Sequence, residues 1–285
     1  MSTRILHVSD LHFGARDDPV LERALTALVE RVRPQLVIAS GDLTHRGRGE
    51  QHDRAAAFLR RLELPVVAVP GNHDIPYTFP ARFTRPWREF ERRWQTTEPV
   101  HTSEDVHVVG VNSVRPWRHQ SGGVADAQLD RVAARLREAP PGALRVVVLH
   151  HQLIGAPWRT RKKPVAKRNH VLARLVDSGA ELILGGHIHQ STVSERHEFE
   201  VITGDARGVV VSIAPGLGRP RPQRRGEARG CVVYRAVESS ITVETSIWRE
   251  DDWGLTAVRT FPRGRKPLSS FVHWERYGQQ GAPRQ

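Results

Sequence analysis

The chain has 285 residues, of which 39% are hydrophobic, enough for one large α/β domain or two small ones. Its single cysteine, Cys231, excludes an internal disulfide and a cysteine-rich metal site, and no window approaches about 18 uninterrupted apolar residues, which argues against a membrane-spanning helix. The formal net charge of +12 leaves nucleic acids and other anions open as partners, although only four of the 43 basic residues are lysines (Lys162, Lys163, Lys167 and Lys266), a ratio that fits coding bias as well as polyanion binding.

The N-terminal half repeats one unit, in which a short apolar strand leads to polar residues and then to a helix. We expect strands near Arg4–Ser9, Leu36–Ala39 and Val66–Val69. The first helix is expected after Asp18, a suitable N-cap, with Pro19 at its first position. Binding sites in open α/β sheets form beyond the carboxyl ends of the strands, so the polar residues at these ends are candidates for a functional site.

The same pattern continues further along the chain. Strands near Val106–Val111, Val146–Leu149 and Leu182–Leu184 again end in polar residues. The aromatic, proline-containing segment Pro76–Thr102 is expected to be a packed irregular excursion with a short helix. After Thr192 the sequence indicates strands joined by turns, without helices between them.

We predict an α/β fold with one domain, residues 1–248, followed by a C-terminal extension, residues 249–285. The last residues of this extension, 278–285, are expected to be disordered. The N-terminus leads into the first strand without an apolar signal-peptide segment, so a cytoplasmic location is expected.

Seven side chains at the strand ends offer oxygen or nitrogen to a metal: Asp10, His12, Asp42, Asn72, His150, His187 and His189. One tetrahedral ion needs only three or four ligands, whereas seven suit two ions about 3.5–4 Å apart that share a carboxylate, as in in-line displacement at phosphorus. Asp42 is the natural bridge because it stands alone between two pairs. In an extended backbone, side chains two residues apart leave the same face, so Asp10 with His12 and His187 with His189 are expected to converge.

Neighbouring residues are expected to differ in role. If Asn72 binds a metal, His73 faces the other side and is free to meet the substrate, and Asp74 could orient the His73 ring through a hydrogen bond. His73 and Asp74 are therefore the candidate catalytic residues. Only one of His150 and His151 needs to be a ligand, and the spacing does not choose between them.

The remaining histidines are expected to be ordinary surface or core residues, with His45 the least certain because it is close to Asp42: His7, His45, His52, His101, His107, His119, His170, His197 and His273. The basic run at residues 159–168 follows a candidate ligand closely. A solvated loop is the favoured interpretation of this run, and a rim that steers anions is the alternative.

The ordered motifs resemble those of the calcineurin-like metallophosphoesterase superfamily: Asp10-x-His12, Gly41-Asp42, Gly71-Asn72-His73-Asp74, His150 and Gly186-His187-x-His189. The resemblance covers roughly residues 4–248. Gly41-Asp42-Leu43-Thr44 and Gly122–Leu136 are similar to the branch of bacterial class III cyclic-nucleotide phosphodiesterases and related glycerophosphodiesterases. The resemblance implies a four-layer α/β/β/α sandwich of two mixed β-sheets flanked by helices.

The resemblance also implies a ligand set for each of two metal ions, which would be manganese, iron or zinc. One ion would be held by Asp10, His12, Asp42 and His189. The other would be held by Asp42, Asn72, His150 and His187, because the family uses the first of the two adjacent histidines. Where this branch often has proline after the two histidines, the chain has Gln152-Leu153, and the loop that follows is unusually basic, which leaves the substrate open.

The resulting hypothesis is a phosphodiesterase in which a hydroxide bridging two ions attacks phosphorus in line while His73 protonates the leaving alkoxide. The expected partner is a small phosphodiester, such as a cyclic nucleotide, and the basic surface also allows nucleic acid. One alternative is a nuclease or nucleic-acid end-processing phosphoesterase. A second is a lipid-linked pyrophosphate hydrolase, for which Pro76–Trp94 would have to be a cap with exposed apolar surface. A third is a non-catalytic scaffold or nucleic-acid-binding module.

Overall fold

A computed structural model of the chain describes residues 3–16, 18–118, 120–158, 160–198, 208–219 and 221–264. The strands are β1 (Thr3–Val8), β2 (Leu36–Ala39), β3 (Val66–Ala68), β4 (Val100–Thr102), β5 (Val106–Val111), β6 (Leu144–Leu149), β7 (Leu182–Gly185), β8 (Thr192–Glu195), β9 (Val210–Ile213), β10 (Gly230–Ala236), β11 (Ser240–Arg249) and β12 (Asp252–Pro262). The helices are α1 (Pro19–Val32), α2 (Gly49–Arg60), α3 (Ala81–Thr84), α4 (Arg88–Trp94), α5 (Asp126–Arg137) and α6 (Arg168–Asp177), and a 3₁₀ turn covers Arg196–Glu198.

The strands form two mixed sheets of six strands each. The order in the first sheet is β12-β11-β10-β1-β2-β3, with β1, β2 and β3 parallel and the other three added antiparallel. The order in the second is β4-β5-β6-β7-β9-β8, with antiparallel β4 and β8 at its edges. The predicted class, two mixed sheets flanked by helices, is confirmed.

Alternate side chains of each strand enter different apolar layers. In β1, Ile5 packs between the two sheets in the same layer as Val108 of the second sheet, whereas Leu6 packs outward with Leu25 of α1. The outer face of the second sheet packs beneath α5 and α6 through residues such as Leu175. Three apolar layers therefore separate helix, sheet, sheet and helix, and they leave the carboxyl ends of the parallel strands for the polar loops.

β1 also places a polar side chain, His7, in the layer between the sheets. The ring lies 3.0 Å from Tyr234 Oη through Nδ1 and 2.8 Å from Ser40 Oγ through Nε2, and Tyr234 Oη donates to Ser212 Oγ at 2.7 Å. Ser212 belongs to β9, so this buried chain of hydrogen bonds joins the first sheet to the second. Burial lowers the pKa of His7 to about 3 and keeps the ring neutral.

The expected start of α1 is confirmed, because Asp18 Oδ1 accepts a hydrogen bond from Leu21 N at 3.1 Å and Pro19 is the first helical residue. The segment Pro76–Thr102 holds two short helices, α3 and α4, where the sequence indicated one. Among the described residues, no helix is long and apolar enough to span a membrane.

The end of the chain differs from the expected division at residue 248. β12 pairs with β11 in a long hairpin and extends the first sheet to Pro262. Most side chains of β12 are exposed, so its sequence lacks the alternation that reveals a half-buried strand. Residues 265–285, including the expected disordered end, lie outside the described residues.

Candidate metal centre

The seven predicted ligands are all buried in loops that directly follow β1, β2, β3, β6 and β7. The first group of three consists of Asp10, His12 and His189. His189 Nε2 lies 2.9 Å from Asp10 Oδ1 and 3.3 Å from His12 Nε2, and His12 Nε2 lies 3.8 Å from Asp10 Oδ1. One carboxylate oxygen and two imidazole nitrogens thus converge closely enough to share one cation.

The second group of three consists of Asp42, His150 and His187. His150 Nε2 lies 3.4 Å from Asp42 Oδ1 and 3.2 Å from His187 Nδ1. The other oxygen of this carboxylate, Asp42 Oδ2, lies 3.8 Å from His12 Nε2 of the first group. Asp42 therefore stands between the two groups with one oxygen facing each, which is the geometry of a bridging ligand.

Buried acceptors without donors indicate what these residues could hold. Asp42 Oδ2 and Asn72 Oδ1 are both buried and accept no hydrogen bond from any described residue. Buried polar atoms are almost always paired, and leaving one unpaired costs roughly 1–3 kcal/mol. A cation supplies the missing partner, and the oxygen and nitrogen donors present suit a divalent transition metal.

The backbone brings the ligands together by a different route from the one the sequence indicated. Asp10 and His12 are not extended, since their φ angles are +53° and +51°. Left-handed backbone also occurs at three further predicted ligands: Asp42, His187 and His189. This conformation costs roughly 1–2 kcal/mol for each residue that is not glycine, and such strain is concentrated at functional sites. The expectation of extended backbone was therefore wrong. Asp10 and His12 do meet in the first group, whereas His187 and His189 are divided between the two groups.

Backbone hydrogen bonds hold the loops after β1 and β2 side by side. Asp10 N donates to Gly41 O and His12 N donates to Asp42 O, each at 2.9 Å. The loop after β3 approaches even more closely, because a Cβ added to Gly71 would lie 2.2 Å from Asp42 N. Glycine is thus required there by the close approach of two backbones.

Charge interactions within the site oppose the effect of burial on the pKa values of Asp10, Asp42 and His150. Burial alone would raise the pKa of Asp10, but the charges of His189 and Lys162 hold it well below its usual value. Burial would likewise raise the pKa of Asp42, which His150 holds well below its usual value. Burial lowers the pKa of His150, but the charge of Asp42 outweighs this and raises it to about 9. Both carboxylates therefore stay ionised.

The structure also separates the two adjacent histidines. His150 Nδ1 donates to Ser40 O at 2.8 Å, which leaves Nε2 as the nitrogen that faces Asp42. His151 turns away, and its Nδ1 lies 2.9 Å from Ser113 Oγ. The structure thus brings His150, and not His151, into the second group.

Asp74 has a different role from the predicted one. Its carboxylate accepts hydrogen bonds from Leu43 N (3.1 Å), Thr44 N (2.8 Å), Thr44 Oγ1 (2.9 Å) and Gly71 N (2.8 Å). With its oxygens occupied by these donors, it fastens the loop of Asp42 to the loop of Asn72. The expected hydrogen bond from Asp74 to the His73 ring is not present among the described residues, so that part of the prediction was wrong.

The His73 ring is held by other groups. Its Nδ1 donates to His45 O at 2.8 Å, and Tyr77 Oη lies 2.7 Å from the same nitrogen. The half-buried ring stands edge-on to His12, with ring centroids 4.8 Å apart. His73 is thus placed beside the first group, and His45 and Tyr77 support its ring in place of Asp74.

Sequence reasoning missed the inward position of Lys162. Its side chain is only 13% exposed, Nζ lies 3.9 Å from Asp10 Oδ1, and Nζ also donates to His187 O. Burial lowers the pKa of this ammonium, against the opposing charges of Asp10 and Asp42. A solvated loop, the favoured interpretation of residues 159–168, is therefore wrong at this position. Arg159 lies outside the described residues.

Of the histidines expected to be ordinary, His52 and His107 are buried and hydrogen-bonded through Nε2 to the carbonyls of Asp74 and Arg135. His45 is the exception, since it joins His12 and His73 in a further close group. His119, His273 and the side chain of His197 lie outside the described residues.

A cleft of ≈ 410 Å³ opens above the first group of ligands. It is lined by four histidines, four basic residues and a glutamine: His12, His45, His73, Gln120, Arg161, Lys162, His189, Arg221 and Arg224. Aspartate and histidine ligands thus form two adjacent buried groups beneath a basic cleft, at the carboxyl ends of strands in a two-sheet sandwich. This arrangement defines a metal-dependent phosphoric ester hydrolase.

Comparison with known proteins agrees with this class. The model of the calcineurin-like phosphoesterase family matches residues 3–191, and the chain belongs to that family. A probable cyclic nucleotide phosphodiesterase of Synechococcus sp. is 26% identical over 211 residues, which cover 69% of this chain and 77% of that protein. A protein of Pseudomonas aeruginosa named 3',5'-cyclic adenosine monophosphate phosphodiesterase CpdA is 28% identical over 276 residues, 88% of this chain and 91% of that one.

Other relatives align less fully, and the chain spans 55% and 60% of the length of two of them. Among solved structures, a dimetal phosphatase from Danio rerio superposes with a TM-score of 0.63 at 14% identity, covering 92% of this chain and 99% of that one. At this identity the superposition shows the shared fold alone.

Proposed function

We propose that this enzyme hydrolyses cyclic nucleotides or related small phosphodiesters with the help of two metal ions. The observation that carries the proposal is the pair of buried ligand groups with Asp42 between them. Such a pair serves displacement at phosphorus in dinuclear enzymes. The relatives named as cyclic nucleotide phosphodiesterases support the same substrate class.

The proposed ligand sets follow the two groups. Asp10, His12, Asp42 and His189 would hold one ion, and Asp42, Asn72, His150 and His187 would hold the other. Carboxylate, amide and imidazole donors suit manganese, iron or zinc. When bound, such ions activate water and offset charge on the phosphoryl group.

The side chains around the ligands would bind and orient the substrate. Lys162, beside Asp10, offers an ammonium to a phosphoryl oxygen at the floor of the cleft. His73 lines the same cleft, with its ring fixed through Nδ1, and would pass a proton to the leaving oxygen. The substrate is a small molecule, and we propose a cytoplasmic location for the enzyme.

A lipid-linked pyrophosphate remains the second candidate substrate, because one observation favours it. Phe79 and Phe83 in the excursion after β3 are 83% and 55% exposed. An exposed aromatic surface of this kind is what a cap over a lipid-linked substrate requires.

The test has two parts. We expect Asp42→Asn to deplete both metals, which elemental analysis of the purified protein measures; retention of both metals would refute the bridging role. We expect His73→Ala to keep both metals but to lose roughly 10²–10⁴-fold in turnover on a diester with a poor leaving group. Equal metal loss in His73→Ala would instead make His73 a ligand.

The substrate is identified with a panel of 3',5'-cyclic AMP, a glycerophosphodiester, bis(p-nitrophenyl) phosphate, a phosphomonoester and an undecaprenyl pyrophosphate, each with and without manganese. We expect manganese-dependent hydrolysis of the diesters to be faster than hydrolysis of the phosphomonoester and the pyrophosphate. Inactivity of the metal-loaded enzyme on every diester would overturn it.

A further inference from the structure

The space above the ligands does not end at the cleft. A second cavity of ≈ 720 Å³ adjoins it and is lined by Trp158, Thr160, Arg161, Arg224 and Glu227. Arg161 and Arg224 line both cavities, so the two form one continuous groove. The larger part of this groove lies away from the ligands. A small cyclic diester bound at the metals would leave that part empty.

The shared wall of the groove carries two cations that are free to bind an anion. Arg161 and Arg224 are exposed, and no carboxylate of a described residue pairs with either guanidinium. Arg221, in contrast, is already held by Glu227 at 2.7 and 2.5 Å. Guanidinium groups bind phosphate oxygens in a bidentate manner, so two of them that line the same space suit a second phosphate.

The far end of the groove presents a flat aromatic ring in a fixed position. The backbone N of Trp158 donates to Gln190 Oε1 at 2.9 Å, which ties the backbone that carries the ring to the loop of His189. Arg225 Cζ stacks 4.5 Å from the ring centroid, and a Cβ on Gly226 would lie 2.7 Å from Trp158 Cβ. The side chain remains 46% exposed. A fixed, exposed indole beside cations is a platform on which a nucleobase stacks.

We propose that this groove binds the second nucleotide of a linear substrate, so that the enzyme prefers short single-stranded oligonucleotides to cyclic mononucleotides. The scissile phosphate lies at the two ligand groups, the adjacent phosphate lies between Arg161 and Arg224, and the next base stacks on Trp158. Water adds to phosphorus, one P–O ester bond breaks, and the leaving oxygen takes a proton. The products are a phosphomonoester and a free hydroxyl. This inference rests on the proposed diester hydrolysis and extends its substrate.

The test compares kcat/KM for the 5'-phosphorylated dinucleotide pdApdA with that for 3',5'-cyclic AMP and for bis(p-nitrophenyl) phosphate, all with saturating manganese. We expect the intact enzyme to prefer pdApdA to cyclic AMP by at least about tenfold, since stacking of one base alone contributes on that order. Trp158→Ala and Arg224→Ala should each lower the ratio of pdApdA to model-diester kcat/KM by roughly tenfold. Trp158→Phe should restore most of that ratio.

Arg60→Ala is the matched control, because Arg60 also lies over an indole, that of Trp94, but outside both cavities. Its ratio should equal that of the intact enzyme. Equal kcat/KM for pdApdA and cyclic AMP, or ratios unchanged in both groove variants, would overturn the inference while leaving diester hydrolysis intact. Failure to hydrolyse even bis(p-nitrophenyl) phosphate would overturn the proposed function itself.

Discussion

Replacing Asp74 with alanine tests the role that the structure gives this carboxylate. Three buried backbone N–H groups, those of Leu43, Thr44 and Gly71, would lose a charged acceptor at once. A hydrogen bond to a charged group is worth about 1.5–3 kcal/mol, and water entering the space left by the side chain recovers part of the loss. We therefore expect the free energy of unfolding to fall by about 3–5 kcal/mol.

The same substitution should also loosen the metal centre, because these hydrogen bonds hold the loop of Asp42 against that of Asn72. Urea unfolding followed by tryptophan fluorescence measures the first effect, and elemental analysis measures the second. Asp74→Asn keeps one acceptor oxygen and should fall between the alanine variant and the intact protein. Unchanged stability and full metal content, with turnover alone lost, would show that Asp74 acts on His73 and that our reasoning is wrong.

Two further predictions concern the core. Tyr234→Phe should lower the free energy of unfolding by about 1–3 kcal/mol, because it leaves Ser212 and His7 without their shared partner; urea unfolding measures this, and an unchanged midpoint would show that the network contributes nothing. Burial raises the pKa of the Cys231 thiol to about 12, so the folded state keeps a proton that the unfolded chain loses near pH 9. Stability should therefore fall between about pH 9 and 12, by about 1.4 kcal/mol per pH unit relative to Cys231→Ala, and parallel pH profiles of the two proteins would contradict the shift.

The alternation of strands and helices could be predicted because its signals are local and repeated, whereas the arrangement in two sheets was implied by the family resemblance alone. Five strands, β1, β2, β3, β6 and β7, are short apolar runs, and a polar ligand candidate such as Asp42 or His187 follows each of them. The role of Asp74 could not be predicted in this way, since two of its partners, Leu43 N and Thr44 N, are backbone groups about 30 residues earlier, and any residue type supplies such groups.

Lys162 illustrates a second limit. Within a run of basic residues, the sequence has no period that shows that Lys162 turns inward, and only its packing against Asp10 and His187 does so. β12 illustrates a third, because an edge strand with few buried side chains is held by main-chain pairing to β11 and not by a readable apolar pattern.

Each of the two ligand groups draws on both sheets. Asp10, His12 and Asp42 follow strands of the first sheet, while His150, His187 and His189 follow strands of the second. A cation held by either group consequently cross-links the two sheets of the sandwich, in addition to its part in the chemistry. At a free metal concentration a hundred times the dissociation constant, each bound cation adds about 2.7 kcal/mol to the free energy of unfolding. A chelator would then destabilise the whole two-sheet fold as it abolishes activity, and the melting temperature of the protein would report the metal occupancy of the site.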